Sequence, residues 1–218
     1  MRQPLRLRPP KPQQADVILI REHRAAAEFA RAVSTIFNPF LTATALFIIV
    51  SHAVTRSTLA FWRFSISGLL FFTVAPLIVI LYLYVTGRIS DFDMSERSER
   101  ERVFAAFVML YFAAAVSLSA THAPVQLQAI AWGYWWMAVA TMLITRWWKI
   151  STHAFGITGP FAAMLLLYKS QPLPYAVVVP LVCWARVYLR SHTYLQVFAG
   201  FALAVVSTLA IFKLFHLL

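Results

Sequence analysis

The sequence predicts an all-α, polytopic membrane bundle of about seven spans, and three observations carry that reading. Of 218 residues, 61% are hydrophobic and only 12% charged, more apolar side chains than a soluble core of this size can hide. Those residues gather into windows of about 20, the length that crosses about 30 Å of hydrocarbon. The basic residues between the windows are unevenly shared, as orientation in a membrane requires.

In chain order, residues 1–14 read as a flexible basic tail, rich in arginine and proline and without the apolar stretch of a signal peptide. Residues 15–34 mix Val17, Ile20, Phe29 and Val33 with Arg21, Arg24, Glu28 and Arg31, the pattern of an amphipathic helix lying in the headgroup region. Residues 35–218 form the membrane domain. Its seven windows run Ile36 to Ala53, Phe61 to Val85, Val103 to Ala120, Val125 to Thr145, His153 to Tyr168, Leu173 to Leu189 and Tyr194 to Phe215. With seven crossings, fifteen of the nineteen Lys and Arg fall on the side of the N-terminus. Only Arg56, Arg63, Lys169 and Lys213 fall on the other. That split predicts a cytoplasmic N-terminus, with the C-terminus opposite. The formal charge of +11 is therefore read as topology and anion binding, with no nucleic-acid partner. The lone Cys183 excludes a disulfide framework and a thiolate metal cluster.

Ionisable side chains at span ends, gathered with others of their kind, mark functional sites in membrane proteins. Three such clusters occur: ISDFDMSERSERER with Arg100, WKISTH with Lys149, Ser151 and His153, and ARVYLRSHTYLQ with Arg186, His192 and Gln196. Two crossings separate each from the next, so all three face the same side. Guanidinium forks and a lysine suit phosphoryl oxygens. Of two histidines, one can attack phosphorus while the other protonates the leaving oxygen, and no metal is needed. Neither a DxDxT nucleophile nor a Gly-rich P-loop is present. Asp91 and Asp93 form one D-x-D without a second acidic cluster, too little for a metal-bound diphosphate site. Arg97, Arg102 and Arg190 read as topology charges or headgroup contacts. The tryptophans from Trp132 to Trp148 read as packing and an interfacial belt.

In order and spacing, these clusters resemble the signature of the type 2 phosphatidic acid phosphatase (PAP2) superfamily: K-x6-R-P, P-S-G-H and S-R-x5-H-x3-D. Arg186, His192 and Gln196 match the third motif best, followed by the small-residue stretch to Gly200. Ser151 and His153 keep two residues of the second. Arg100 keeps the arginine of the first, with Asp93 at the lysine position and Glu101 in place of proline. The likeness runs from about residue 87 to the C-terminus and looks like a divergent bacterial branch, which implies a bacterial-type inner membrane. It implies a six-helix core with N-terminal additions, a lipid phosphate substrate such as phosphatidate or an isoprenyl phosphate, and no cofactor. By position it makes His192 the nucleophile, His153 the acid and Gln196 the orienting residue. Arg100, Ser151 and Arg186 would cradle phosphate, with Lys149 replacing the missing lysine. Gln196 in place of aspartate and Asp93 in place of lysine leave an alternative open: a catalytically silent subunit of the same fold that binds lipid or a membrane-protein partner.

Overall fold

The computed structural model describes residues 14–90 and 97–218; the tail to residue 13, Asp91 and Asp93 lie outside them. The described residues are helical and contain no strand. The helices are α1 (Gln14–Ile36), α2 (Pro39–Val54), α3 (Thr58–Leu69), α4 (Ala75–Val85), α5 (Arg97–Ala120), α6 (Val125–Thr145), α7 (Thr152–Tyr168), α8 (Val178–Tyr188) and α9 (Tyr194–Leu214). Large apolar side chains such as Leu59, Trp62, Ile66, Leu70, Ile78 and Val85 stand exposed along the outer face of α3 and α4. In water such a surface would aggregate; against hydrocarbon it is the solvated face. The chain is an integral membrane protein.

Among the described residues, four helical stretches can cross a membrane by length and composition: Thr58–Val85, Glu99–Ala120, Val125–Thr145 and Tyr194–Leu214. The count is five if the pair Arg24–Ile36 and Pro39–Val54, bent by 47°, is one broken span. The seven apolar windows thus meet a lower count, for reasons visible in the chain. Asn38 and Pro39 break the first window: the Asn38 side chain accepts from the N–H groups of Phe40 and Leu41 and starts α2 afresh. The seventeen residues of α7 rise about 25 Å, short of the hydrocarbon core. The window ahead of α8 opens with a 3₁₀ turn, Leu173–Tyr175. The segment expected to form an amphipathic helix is helical as α1, and its second half buries Ala30 and Val33 against Val179, Val182 and Ala185 of α8.

Prolines inside the apolar helices are absorbed locally. Between α3 and α4 a π turn, Leu70–Val74, carries the chain past Pro76, the Ala75 N–H reaching back to the Leu70 carbonyl. Within α7, Pro160 has no N–H to give the Gly156 carbonyl. The Thr42 hydroxyl donates to that carbonyl instead, at 2.8 Å. This contact fixes the start of α2 against α7, where a Cβ on Gly156 would come within 2.5 Å of Pro39 Cβ.

The core is aromatic. Phe47 stacks on Phe72 at 4.8 Å, and Phe72 meets Tyr111 at 5.1 Å and Tyr134 at 4.9 Å. α5 runs along α6 and α7 along α9, and the two pairs bring their same-side ends together.

Candidate functional site

The third cluster is built by the turn from α8 to α9. After α8 the chain passes Arg190 in the left-handed region, φ 54°, a position glycine usually takes. The Arg186 carbonyl then accepts from the N–H groups of Ser191, at 3.1 Å, and His192, at 3.3 Å. The five-residue spacing between Arg186 and His192 is the length of this closed turn. Thr193 caps α9, its hydroxyl accepting from the Gln196 N–H at 3.3 Å, while Gln196 Oε1 accepts from the Thr193 N–H at 3.1 Å. That backbone N–H can only donate, so it fixes which end of the amide is oxygen. The same Oε1 lies 3.2 Å from His192 Nδ1. Nδ1 therefore carries the proton, and Nε2 keeps its lone pair.

The second cluster lies beside the third because α7 and α9 touch. Gly200 lets the α9 backbone approach until a Cβ there would be 2.6 Å from the Ser151 carbonyl oxygen. One turn earlier, the Ser151 N–H donates to the Gln196 carbonyl at 3.3 Å. Ser151 itself is fully buried, and its hydroxyl caps α7 by accepting from the Ala154 N–H at 3.3 Å. His153 follows in the first turn of α7. The Ser34 carbonyl lies beside its ring, and Nδ1 is buried without a partner.

These elements enclose a cavity of about 740 Å³, within the range of small-molecule sites. Arg100, Lys149, His153, Arg186, Arg190 and His192 all line it. The three sequence-distant clusters meet on one space. Ser151 and Gln196 are the site residues that do not line it: the Ser151 hydroxyl is committed to the cap, and Gln196 acts on the cavity only through His192. Among the described residues, no Asp or Glu lines the cavity, and no three His, Cys, Asp or Glu side chains gather as metal ligands. What it offers a ligand is guanidinium, ammonium, imidazole and the N-terminal end of α7, all suited to an anion.

Burial, then the nearby Lys149 ammonium and Arg186 guanidinium, push the His192 pKa from 6.5 down to about 3. The hydrogen bond to Gln196 pulls the other way, and Arg100 adds to the depression. The ring is neutral at pH 7. A neutral imidazole with its Nε2 lone pair free is a nucleophile, held so by the same cations that would attract a phosphate.

No family model matches this chain, and neither a curated protein nor a solved structure matches it.

Arg190, a topology charge or headgroup contact by its sequence, lines the cavity. Its place in the turn between Arg186 and His192 was the available signal. Ser34, Thr35 and Asn38, at the break between α1 and α2, also reach the cavity. They lie ahead of the stretch that carries the family likeness, and no motif pointed to them.

Proposed function

We propose that this protein is a membrane lipid phosphate phosphatase of the type 2 phosphatidic acid phosphatase kind, acting through a phosphohistidine on His192. The convergence of Arg100, Lys149, His153, Arg186 and His192 on one cavity is the observation that supports it. The phosphate sits among the guanidinium and ammonium groups, which balance its charge in the ground state and the charge on its equatorial oxygens during transfer. His153 takes up a proton as the phosphate anion binds beside it; His192 Nε2 then attacks phosphorus as the bond to the lipid oxygen breaks, and that oxygen leaves with the His153 proton. Water then attacks the phosphohistidine, giving its proton to His153; inorganic phosphate leaves and His192 is restored. Gln196 holds the Nδ1 proton throughout. Arg190 joins Arg100, Lys149 and Arg186 in holding the anion.

In this reading the protein crosses the bacterial-type inner membrane seven times. The bent α1–α2 pair, α7 and the segment Leu173–Tyr188 complete the count begun by the four long spans. The N-terminus and the cavity mouth face the cytoplasm, in line with the excess of Lys and Arg on that side. The substrate is a phosphate ester or diphosphate of a lipid, phosphatidate or an isoprenyl phosphate.

The test is phosphate release from such lipids by purified protein in the presence of a chelator. Wild type is expected to turn over and His192→Ala to be inert; full activity in His192→Ala removes the nucleophile. One observation favours the silent alternative: Gln196 and Ser151 both have capping duties that would retain them without catalysis. Vanadate, which mimics pentacoordinate phosphorus, separates the two. A silent subunit neither binds it nor releases phosphate, and it copurifies with a membrane-protein partner.

A further inference from the structure

The cation-lined mouth is only one end of the cavity. On α5, Arg100, Phe104, Phe107 and Tyr111 all line it; the spacing of four, three and four puts them on one helical stripe, so the wall turns from charge to aromatic carbon with depth. Tyr111 lies eleven residues beyond Arg100, and on α6 Tyr134 lies eleven residues before Thr145. At 1.5 Å per residue each is about 16 Å from the mouth. Their ring centroids are 6.2 Å apart, so the two depths agree and the rings close the cavity together. About 16 Å is close to half of the roughly 30 Å hydrocarbon core. The cavity is one leaflet deep.

Beyond this floor lies a second, smaller cavity of about 50 Å³, apolar except for Ser207 and Thr208, which shares Tyr134, Met137 and Phe155 with the first as a common wall. A chain in the large cavity therefore ends against side chains that have empty space behind them. We infer that the apolar part of the cavity is a chain-length gauge: it takes the hydrocarbon tail of the amphiphile whose phosphate sits at the mouth, with its limit set by Tyr111, Tyr134 and Met137. This rests on the lipid phosphate reading and adds a subsite to it. A tail shorter than the floor leaves wall uncovered. A longer one must fold back or displace packed aromatic rings, which the dense interior resists.

The experiment measures binding without chemistry. A homologous series of n-alkyl phosphonates, which cannot be hydrolysed, is titrated from aqueous monomers against the full-length protein in detergent. Each added methylene is expected to tighten binding about fourfold, the equivalent of about 0.8 kcal/mol per buried methylene, until the chain meets the floor, and to weaken it beyond. Met137→Ala joins the two cavities and moves the break to longer chains. Ala138→Leu fills the cavity above the floor and moves it to shorter ones, so the gauge is tested in both directions even if one variant folds poorly. Affinity that rises with length without a break in all three proteins overturns the gauge and leaves the phosphate site standing. Affinity for no member of the series overturns both.

Discussion

Gly200→Ala is the sharpest test of how the site is assembled. An alanine Cβ at this position would lie 2.6 Å from the Ser151 carbonyl oxygen and 3.2 Å from Ala154 Cβ. Ordinary contact begins at 3.4 Å, so α7 and α9 must part by 0.8 Å, the difference between 3.4 and 2.6 Å. The obstacle is backbone, which cannot rotate away. The Ser151 N–H bond to the Gln196 carbonyl, already 3.3 Å long, breaks when the helices separate. Overpacking of this kind costs about 1–3 kcal/mol, whereas misplacing reacting groups by about 1 Å costs about 10²-fold in rate. The expected result is a protein that folds with a lowered melting temperature and loses turnover far beyond its loss of folded material. Gly133→Ala is the control, since a Cβ there meets nothing within 4 Å. The assay pairs thermal unfolding in detergent with phosphate release per folded molecule and with vanadate affinity. If turnover in Gly200→Ala falls only as far as the folded fraction falls, the α7–α9 contact does not set the distance between His153 and His192.

Gln196→Leu removes the acceptor for both the Thr193 N–H and His192 Nδ1. Stability should drop by about 1 kcal/mol from the lost cap, and turnover by up to about 10⁴-fold, as when a catalytic histidine takes the wrong tautomer. Gln196→Glu, which keeps both acceptors, should recover most of the loss, and equal loss in both variants would remove the tautomer argument. Lys149→Met tests the electrostatics. Because the His192 pKa is about 3 in the folded protein against 6.5 ordinarily, the unfolded chain binds more protons below 6.5, and stability should fall as pH drops from 6.5 toward 3. Burial is the main cause and remains, but without the ammonium the folded pKa rises and the decline levels off at a higher pH. Melting temperature across that window locates the levelling-off, and an unchanged position would show that Lys149 does not act on the ring. Thr42→Val leaves the Gly156 carbonyl without a donor from Pro160 or from a hydroxyl, at a cost of about 1–3 kcal/mol. Thr42→Ser should be near neutral, and denaturation of the pair decides.

The helices were legible because they are apolar and long. The windows from Val103 to Ala120 and from Val125 to Thr145 end where α5 and α6 end. The crossing count was less so, since hydrophobic windows do not register breaks. Asn38 starts a new helix inside an apolar run, and only its pairing with Pro39 hinted at that. The site was legible as three clusters on one face, because charge at a span end has few cheap explanations. Its lower half was not. Phe104, Phe107 and Tyr111 look like any core stripe in sequence, and that they face a cavity depends on how α5 is set against its neighbours. Ser151 illustrates the opposite error: a serine before a helix is first a cap, and here the hydroxyl is used by the Ala154 N–H.

The departure that most weakened the family likeness, Gln196 for aspartate, has a physical reading in this cavity. A carboxylate beside His192 would raise the proton affinity of the ring and stabilise the positive charge that grows on it during transfer. Three described cations lower that affinity here, together with burial, and an amide oxygen raises it far less than a carboxylate would while still accepting the Nδ1 proton. The amide therefore preserves the tautomer and gives up stabilisation of the positive charge that grows on the ring during transfer. That loss falls on the step that forms the phosphohistidine. The phosphoryl group arriving at Nε2 partly offsets it, because its own negative oxygens lie against the ring. Slow turnover with tight anion binding is the behaviour this balance predicts, and the two quantities are separable: vanadate affinity reads the cations, and the rate of His192 phosphorylation reads the amide.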